Sequence, residues 1–214
     1  MKNILFVITM LIIVAKISLG QDIKLTAGLA FPSNTFYWDE YGETDRFMLK
    51  HGFKIGPTYK IEINELSHLK TGALLNLKGY NSLRLSELGW SNEKNNFWYI
   101  DVPIVYVRNF KIGNQLFFWE LGPYAGIGLS AIHKLEYSYE LRIIKENINS
   151  MGTKKDDFIR RMDYGLLLGV GIDLKELELG LSFSYGIRDI SRAEYANMKN
   201  VVAAVYFSYF LFDF

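Results

Sequence analysis

Apolar and polar positions alternate in twos along most of the chain, most regularly between Arg161 and Ile187. Met162, Tyr164, Leu166, Leu168, Val170, Ile172 and Leu174 fall on one face, and Asp163, Gly165, Leu167, Gly169, Gly171 and Asp173 on the other. Lys175-Glu176 forms a tight turn. Leu177, Leu179, Leu181, Phe183, Tyr185 and Ile187 then alternate with Glu178, Gly180, Ser182, Ser184, Gly186 and Arg188. A period of two is the spacing of β-strands. Ordinary strands run about five or six residues. These two runs match instead the roughly nine to eleven residues with which a tilted strand crosses a bilayer.

The same pattern predicts eight strands in all. The first covers 23–31, with Ile23, Leu25, Ala27, Leu29 and Phe31 outward, Lys24, Thr26 and Gly28 inward, and Pro32-Ser33-Asn34 as its break. A polar, aromatic loop follows to about residue 49. The second covers 50–63, with Phe53, Ile55, Pro57, Tyr59 and Ile61 opposite Lys54, Gly56, Thr58, Lys60 and Glu62. After a short turn at 64–68, the third covers 69–80 and sets Thr71, Ala73, Leu75 and Leu77 against Lys70, Gly72, Leu74, Asn76 and Lys78. A long loop is expected over 81–96. The fourth strand, 97–110, places Trp98, Ile100, Val102, Ile104 and Tyr106 opposite Asp101, Pro103 and Val105. Lys111-Ile112-Gly113-Asn114 turns into the fifth, 115–131. There Phe117, Trp119, Leu121, Ala125, Ile127 and Leu129 face out, and Glu120, Gly122, Tyr124, Gly126, Gly128 and Ser130 face in. The longest loop, 132–160, is expected to hold a helical turn around 139–148. Strands six and seven are the hairpin described first, 188–199 is a loop, and strand eight covers 200–212.

Connections therefore alternate long and short, which is the order of an antiparallel up-and-down transmembrane β-barrel whose short turns face the periplasm. A soluble eight-stranded barrel with the apolar face inside is excluded by volume. Eight strands enclose a lumen just wide enough for side chains or one small ligand, whereas each strand offers about four to six large apolar groups on one face. Turned outward, those groups meet lipid. Glycine then leaves room inside for Lys54, Lys60, Glu62, Asp101, Glu120, Asp163, Asp173, Glu178 and Arg188. Mixed charge in so small a space predicts paired groups and a plug rather than a pore, because a buried unpaired charge costs several kcal/mol. Trp98, Trp119, Tyr164, Tyr185 and Tyr209 lie near strand ends, where aromatic rings favour the membrane interface.

Composition agrees. Of 214 residues, 50% are hydrophobic and 15% aromatic, with 18 glycines and 4 prolines. A net charge of +1 gives no reason to expect a nucleic-acid partner. The absence of cysteine excludes a disulfide scaffold, a thiolate metal site, a cysteine nucleophile and a lipoprotein anchor. At the N-terminus, Lys2 precedes an apolar run from Ile4 to Ala15, and Ser18-Leu19-Gly20 offers small residues for cleavage. Residues 1–20 therefore read as an export signal, and 21–214 as one barrel domain.

Several segments resemble the PorT-like outer-membrane barrels of Bacteroidota. They are YIDVPIVYV at 99–107, ELGPYAGIGLSA at 120–131, DYGLLLGVGID at 163–173 and LELGLSFSYGIRDIS at 177–191, together with the closing KNVVAAVYFSYFLF. The resemblance is strongest from Tyr99 onward and implies an eight-stranded barrel of the outer membrane. It implies no reaction and supplies no catalytic residues, and the founding member's link to type IX secretion does not transfer with the fold.

Candidate chemistry is sparse. Gly126/Gly128 and Gly169/Gly171 lack the GxGxxG continuation of a nucleotide loop. His51, His68 and His133 are scattered over predicted loops and rims, as surface histidines are. A barrel hydrolase would need one beside Ser and Asp partners, and only Ser130 with His133 are neighbours in sequence. No zinc pattern is present. Asp39-Glu40 and Asp156-Asp157 could bind divalent cations or bridge to lipopolysaccharide, but solvated loop charge explains them. The chain from Tyr195 onward ends on an aromatic strand, a form suited to an assembly signal. The reading is a monomeric, non-enzymatic envelope barrel with no cofactor, metal or catalytic site. Its expected partners are outer-membrane lipid and lipopolysaccharide, the barrel-assembly machinery and an envelope protein complex; the alternatives are a barrel enzyme or a narrow channel.

Overall fold

A computed structural model describes residues 23–38, 50–86, 89–139, 142–149, 151–152, 158–192 and 196–212. The expected export signal, Asp39-Glu40 and Asp156-Asp157 lie outside these residues. The described strands are β1 (Ile23–Trp38), β2 (Gly52–Asn64), β3 (Ser67–Gly72), β4 (Leu74–Lys78), β5 (Asn81–Ser86), β6 (Gly89–Ile112) and β7 (Gln115–Tyr139). They continue with β8 (Arg142–Asn149), β9 (Met151–Gly152), β10 (Ile159–Arg160), β11 (Met162–Asp173), β12 (Leu177–Gly186) and β13 (Ala196–Phe212).

Pairing closes the sheet on itself. β1 lies between β2 and β13, and β13 leads through β12, β11 and β7 to β6. β6 returns to β2 through β3 and β4, which together make one stave interrupted at Ala73. The result is the expected eight-stave antiparallel barrel. Closure removes the free edges that an open sheet leaves.

The faces follow the alternation. Leu166, Leu168, Val170, Leu181, Ile127 and Val205 are each about half exposed on the outer wall, whereas Lys24, Lys78, Asp101, Glu120, Asp163 and Glu178 are buried inside. Aromatic contacts ring both ends of the apolar band. Phe53 meets Trp98 edge-on at 5.5 Å toward the long-loop end, and Tyr106 meets Trp119 at 5.5 Å toward the short-turn end. At the turn after β11, Lys175 takes a left-handed φ of 73°, and the Asp173 carboxylate accepts its backbone N–H at 2.8 Å.

Four expectations need correction. First, Pro32 does not end β1, which pairs with β13 as far as Trp38↔Ala196. Pairing with β2 stops at Ala30↔Gly52, so the proline sits where a missing ladder donor is tolerated. Second, the loop expected at 81–96 is a hairpin, β5 against the start of β6. Third, the helical turn expected around 139–148 is instead β8, paired with β7 from Ile132↔Asn149 to Tyr139↔Arg142. Polar composition hid both hairpins, because their strands stand clear of the lipid and need no apolar face. Fourth, a bulge changes the phase of β7: Trp98 pairs with Ser130 and Tyr99 with Gly128, leaving Leu129 over. Beyond it Ala131 points inward and is fully buried, and Ser130 shares the side of Trp98 rather than the lumen.

Candidate functional site

Among the described residues, the lumen is the most organised polar site. Lys78, 1% exposed, reaches Asp101 at 2.9 Å and Asp163 at 2.8 Å. Asn76 Nδ2 donates to Asp101 at 2.5 Å, and Asn200 Nδ2 and Tyr124 OH donate to Asp163 at 2.9 and 3.2 Å. The ammonium also lies 4.7 Å from the ring centroids of both Tyr99 and Tyr124. One cation against two carboxylates is thus screened by amide, phenol and ring contacts. Toward the short-turn end, Lys70 pairs with Glu120, which also accepts the Tyr206 hydroxyl at 2.9 Å. Lys54 donates to Ser182 at 2.8 Å and lies 4.1 Å over the Tyr206 ring. Nearer the periplasmic rim Lys24 donates to Glu178 at 2.5 Å, beside a hydroxyl chain of Thr58, Thr26 and Ser208.

Apolar layers separate and cover these charges. Val105, Val107, Phe118 and Tyr206 form one. At the outer mouth Tyr80, Phe97, Tyr99 and Ala131 meet Met151, Ile159, Ile190 and Met198. The last four come from the connections after β8 and β12 and from the start of β13, so extracellular segments fold back into the opening. Short backbone links hold them there: β9 pairs with β10 in parallel, Arg160 N–H donates to Ile190 O at 2.8 Å, and Gly128 N–H donates to Arg161 O at 2.6 Å.

Glycine makes this filling possible. A methyl group at Gly128 would overlap the Met151 sulfur, and one at Gly180 would come within 2.5 Å of the Tyr206 ring. A cavity of about 20 Å³ bordered by Lys54, Asn76, Asp101, Tyr124 and Ser182 remains, space for about one water.

Of the residues expected inside, Lys54, Asp101, Glu120, Asp163 and Glu178 are buried there. Lys60 and Glu62 instead pair at 3.5 Å on the periplasmic rim, with Glu62 70% exposed. Asp173 sits in the rim turn. Arg188 stacks 5.6 Å over the outward ring of Tyr164, because β12 ends at Gly186 and the alternation lapses with it. Lys24, Lys70 and Lys78 complete the pairs. The alternation sets all three on inward faces, but their partners depend on which staves face each other across the lumen.

The histidines are not gathered. His68 is buried, 4% exposed, rather than a surface group, because β3 begins at Ser67 and carries it to the inner face. His51 packs edge-on against Phe31 at 5.9 Å. His133 contacts the Asn95 side chain and lies on the opposite face from Ser130. The described residues contain no group of three or more His, Cys, Asp or Glu side chains able to hold a metal ion.

Beyond the mouth, β5, the first half of β6, the second half of β7 and β8 continue as a four-stranded antiparallel sheet. β6 has 24 residues and β7 has 25, more than twice what a bilayer requires. Among the described residues the outer edges of β5 and β8 are unpaired.

Comparison with solved structures returns outer-membrane proteins at low identity and low TM-score. Ail, the attachment invasion locus protein of Yersinia pestis, is 15% identical, with 87% of this chain and 98% of that chain covered at a TM-score of 0.40. The outer membrane protein OprG of Pseudomonas aeruginosa is 13% identical, covering 91% and 99% at 0.34. The outer membrane protease OmpT of Escherichia coli is 7% identical, covering 89% and 97% at 0.33. No curated protein sequence matches. Residues 19–192 match the outer membrane protein beta-barrel domain. With its closed eight-stave wall and lipid-facing apolar band, the chain therefore belongs to the outer membrane protein beta-barrel domain family and resides in the outer membrane.

Proposed function

We propose that this protein is a non-enzymatic, PorT-like barrel of a Bacteroidota outer membrane. In this reading it is a sealed wall that displays extracellular β-structure, in a structural or accessory role beside an envelope secretion or assembly complex. The observation that carries the reading is the filled lumen. Ion pairs, buried aromatic rings and an apolar cap occupy the space that a channel would keep wet. The PorT-like assignment draws on the segments 99–107, 120–131, 163–173 and 177–191.

The projecting sheet supplies the display function. An unpaired strand edge offers a row of backbone donors and acceptors to an extended partner segment, and β8 and β5 carry such edges. A photo-crosslinker at Tyr139, at the tip of this sheet, should capture the same envelope protein reproducibly in cells; no specific adduct would argue against the accessory role. Planar-bilayer recording tests the sealed wall. The purified barrel should stay electrically silent, and stable unitary conductance would overturn the reading in favour of a channel. The rival barrel enzyme predicts hydrolysis of a lipid or peptide that is lost on His133→Ala. The proposed function predicts no such activity to lose.

A further inference from the structure

The outer wall carries a second polar feature, distinct from the lumen. On β11 and β12, Tyr164 and Tyr185 point outward, 46% and 39% exposed. Cross-strand pairing makes them diagonal neighbours: Leu166 opposes Tyr185, and Tyr164 O accepts the backbone N–H of Ile187 at 2.9 Å. The Arg188 guanidinium lies 5.6 Å over the Tyr164 ring, and the Lys199 ammonium 5.9 Å over the Tyr185 ring. Tyr185 opposes Val201 on β13, which places Lys199 one outward step further toward the extracellular end.

Neither cation has a carboxylate partner among the described residues. The five ion pairs found there all involve other lysines. The nearest acid in sequence, Asp189, uses its Oδ1 to accept the backbone N–H groups of Ser191 and Met198 at 2.9 and 2.8 Å. Every described outward position of β11, β12 and β13 is free of Asp and Glu. Two cations with aromatic undersides thus cap an otherwise apolar wall.

Its depth fits a head group. From Leu177, opposite Tyr209, to Tyr185, the strand climbs about 26 Å at about 3.3 Å per residue. Tilted by about 40°, this spans about 20 Å of the apolar band of about 25 Å in outer-membrane barrels. Tyr209 marks the periplasmic interface and the Tyr164/Tyr185 pair the outer one. Directly below the cations run Leu166, Leu168, Leu181 and Phe183, all exposed to the membrane.

We propose that Arg188, Tyr164, Tyr185 and Lys199 form a binding site for the phosphorylated head group of an outer-leaflet glycolipid, whose acyl chains lie along the apolar wall beneath. Charge complementarity and continuity with the acyl-facing surface select this occupant. Arginine and lysine bind phosphate through charge-assisted hydrogen bonds, and the rings hold both cations at the interface by cation–π contact.

The test is lipid retention by the full exported chain in detergent, read by native mass spectrometry with bisphosphorylated lipid A, its dephosphorylated form and phosphatidylglycerol as probes. The native chain should retain the bisphosphorylated lipid selectively. Arg188→Gln with Lys199→Gln should lower retention about twenty-fivefold, taking each cation near a membrane surface as worth about fivefold. Arg188→Lys should keep most of the binding. Lys111→Gln, at the exposed opposite rim, should leave it unchanged. Intact-barrel circular dichroism and gel mobility check that each variant has folded. Equal retention of the dephosphorylated lipid or of phosphatidylglycerol, or an unaffected folded double variant, would overturn the proposal.

Discussion

Lys78 shows how one residue can hold a lumen together. Its ammonium sits between Asp101 and Asp163 with almost no exposure to water. Lys78→Met leaves both carboxylates buried without their cation, and the loss of stability should be about 3–5 kcal/mol. Urea unfolding in lipid vesicles, followed by tryptophan fluorescence, measures it; a loss below about 1 kcal/mol would mean that the amide and phenol donors alone satisfy the two acids. Small residues matter as much as charged ones. Gly180 leaves the space that the Tyr206 ring fills, and that ring carries the hydroxyl bonded to Glu120. Gly180→Val should therefore cost more than overpacking alone, which is typically about 1–3 kcal/mol, because the displaced ring takes a buried hydrogen bond with it. The same unfolding assay, run beside Tyr206→Phe, separates the two contributions.

At the level of elements, β6 and β7 serve two environments in one strand pair. Their halves nearest the short turn are walls with an oily outer face, and their far halves are the centre of a water-exposed sheet. The bulge at Leu129 lies at the change, as bulges do where a strand must bend or re-aim its side chains. The segments that fold back over the mouth meet a different demand, since they bury apolar groups against the inner wall rather than the lipid. Ile190 is fully buried in that cap. Ile190→Ala should cost about 2–5 kcal/mol, and hydrogen exchange should show faster opening around Arg160, whose N–H bonds to Ile190 O. If the cap contributes nothing to the barrel, exchange at Arg160 will match the native chain.

For the whole molecule, closure of the sheet has two consequences. Within the membrane the wall offers no edge to a second copy, since the unpaired edges of β5 and β8 lie beyond the mouth, and its outer face is a continuous apolar band far beyond the few hundred Å² that soluble monomers expose. The exported chain should sediment as a monomer in detergent and aggregate once detergent is removed. A stable folded monomer in plain buffer would mean that the oily face is not the outer one.

Barrel orientation was legible in the sequence, because period-two alternation has only one solution once a narrow lumen must exclude about half of the large side chains. Staves, short turns and most inward charges followed from it, down to the phase of the stave made by Lys70, Leu74, Asn76 and Lys78. The closing strand was harder to phase, since Val202 and Ala204 on its inner face are as apolar as Val201 and Ala203 on its outer one. The hairpins of β5 and β8 were harder to read: Leu83 and Leu85 alternate with Ser82, Arg84 and Ser86 over only six residues, and the adjacent Ile143 and Ile144 break the alternation in β8. Alternation assigns a residue to a face but says nothing of what lies across the lumen. The pairing of Lys78 with two acids, the apolar cap over the mouth and the turning of Arg188 onto Tyr164 were decided only when the staves closed and brought distant segments within a few ångströms.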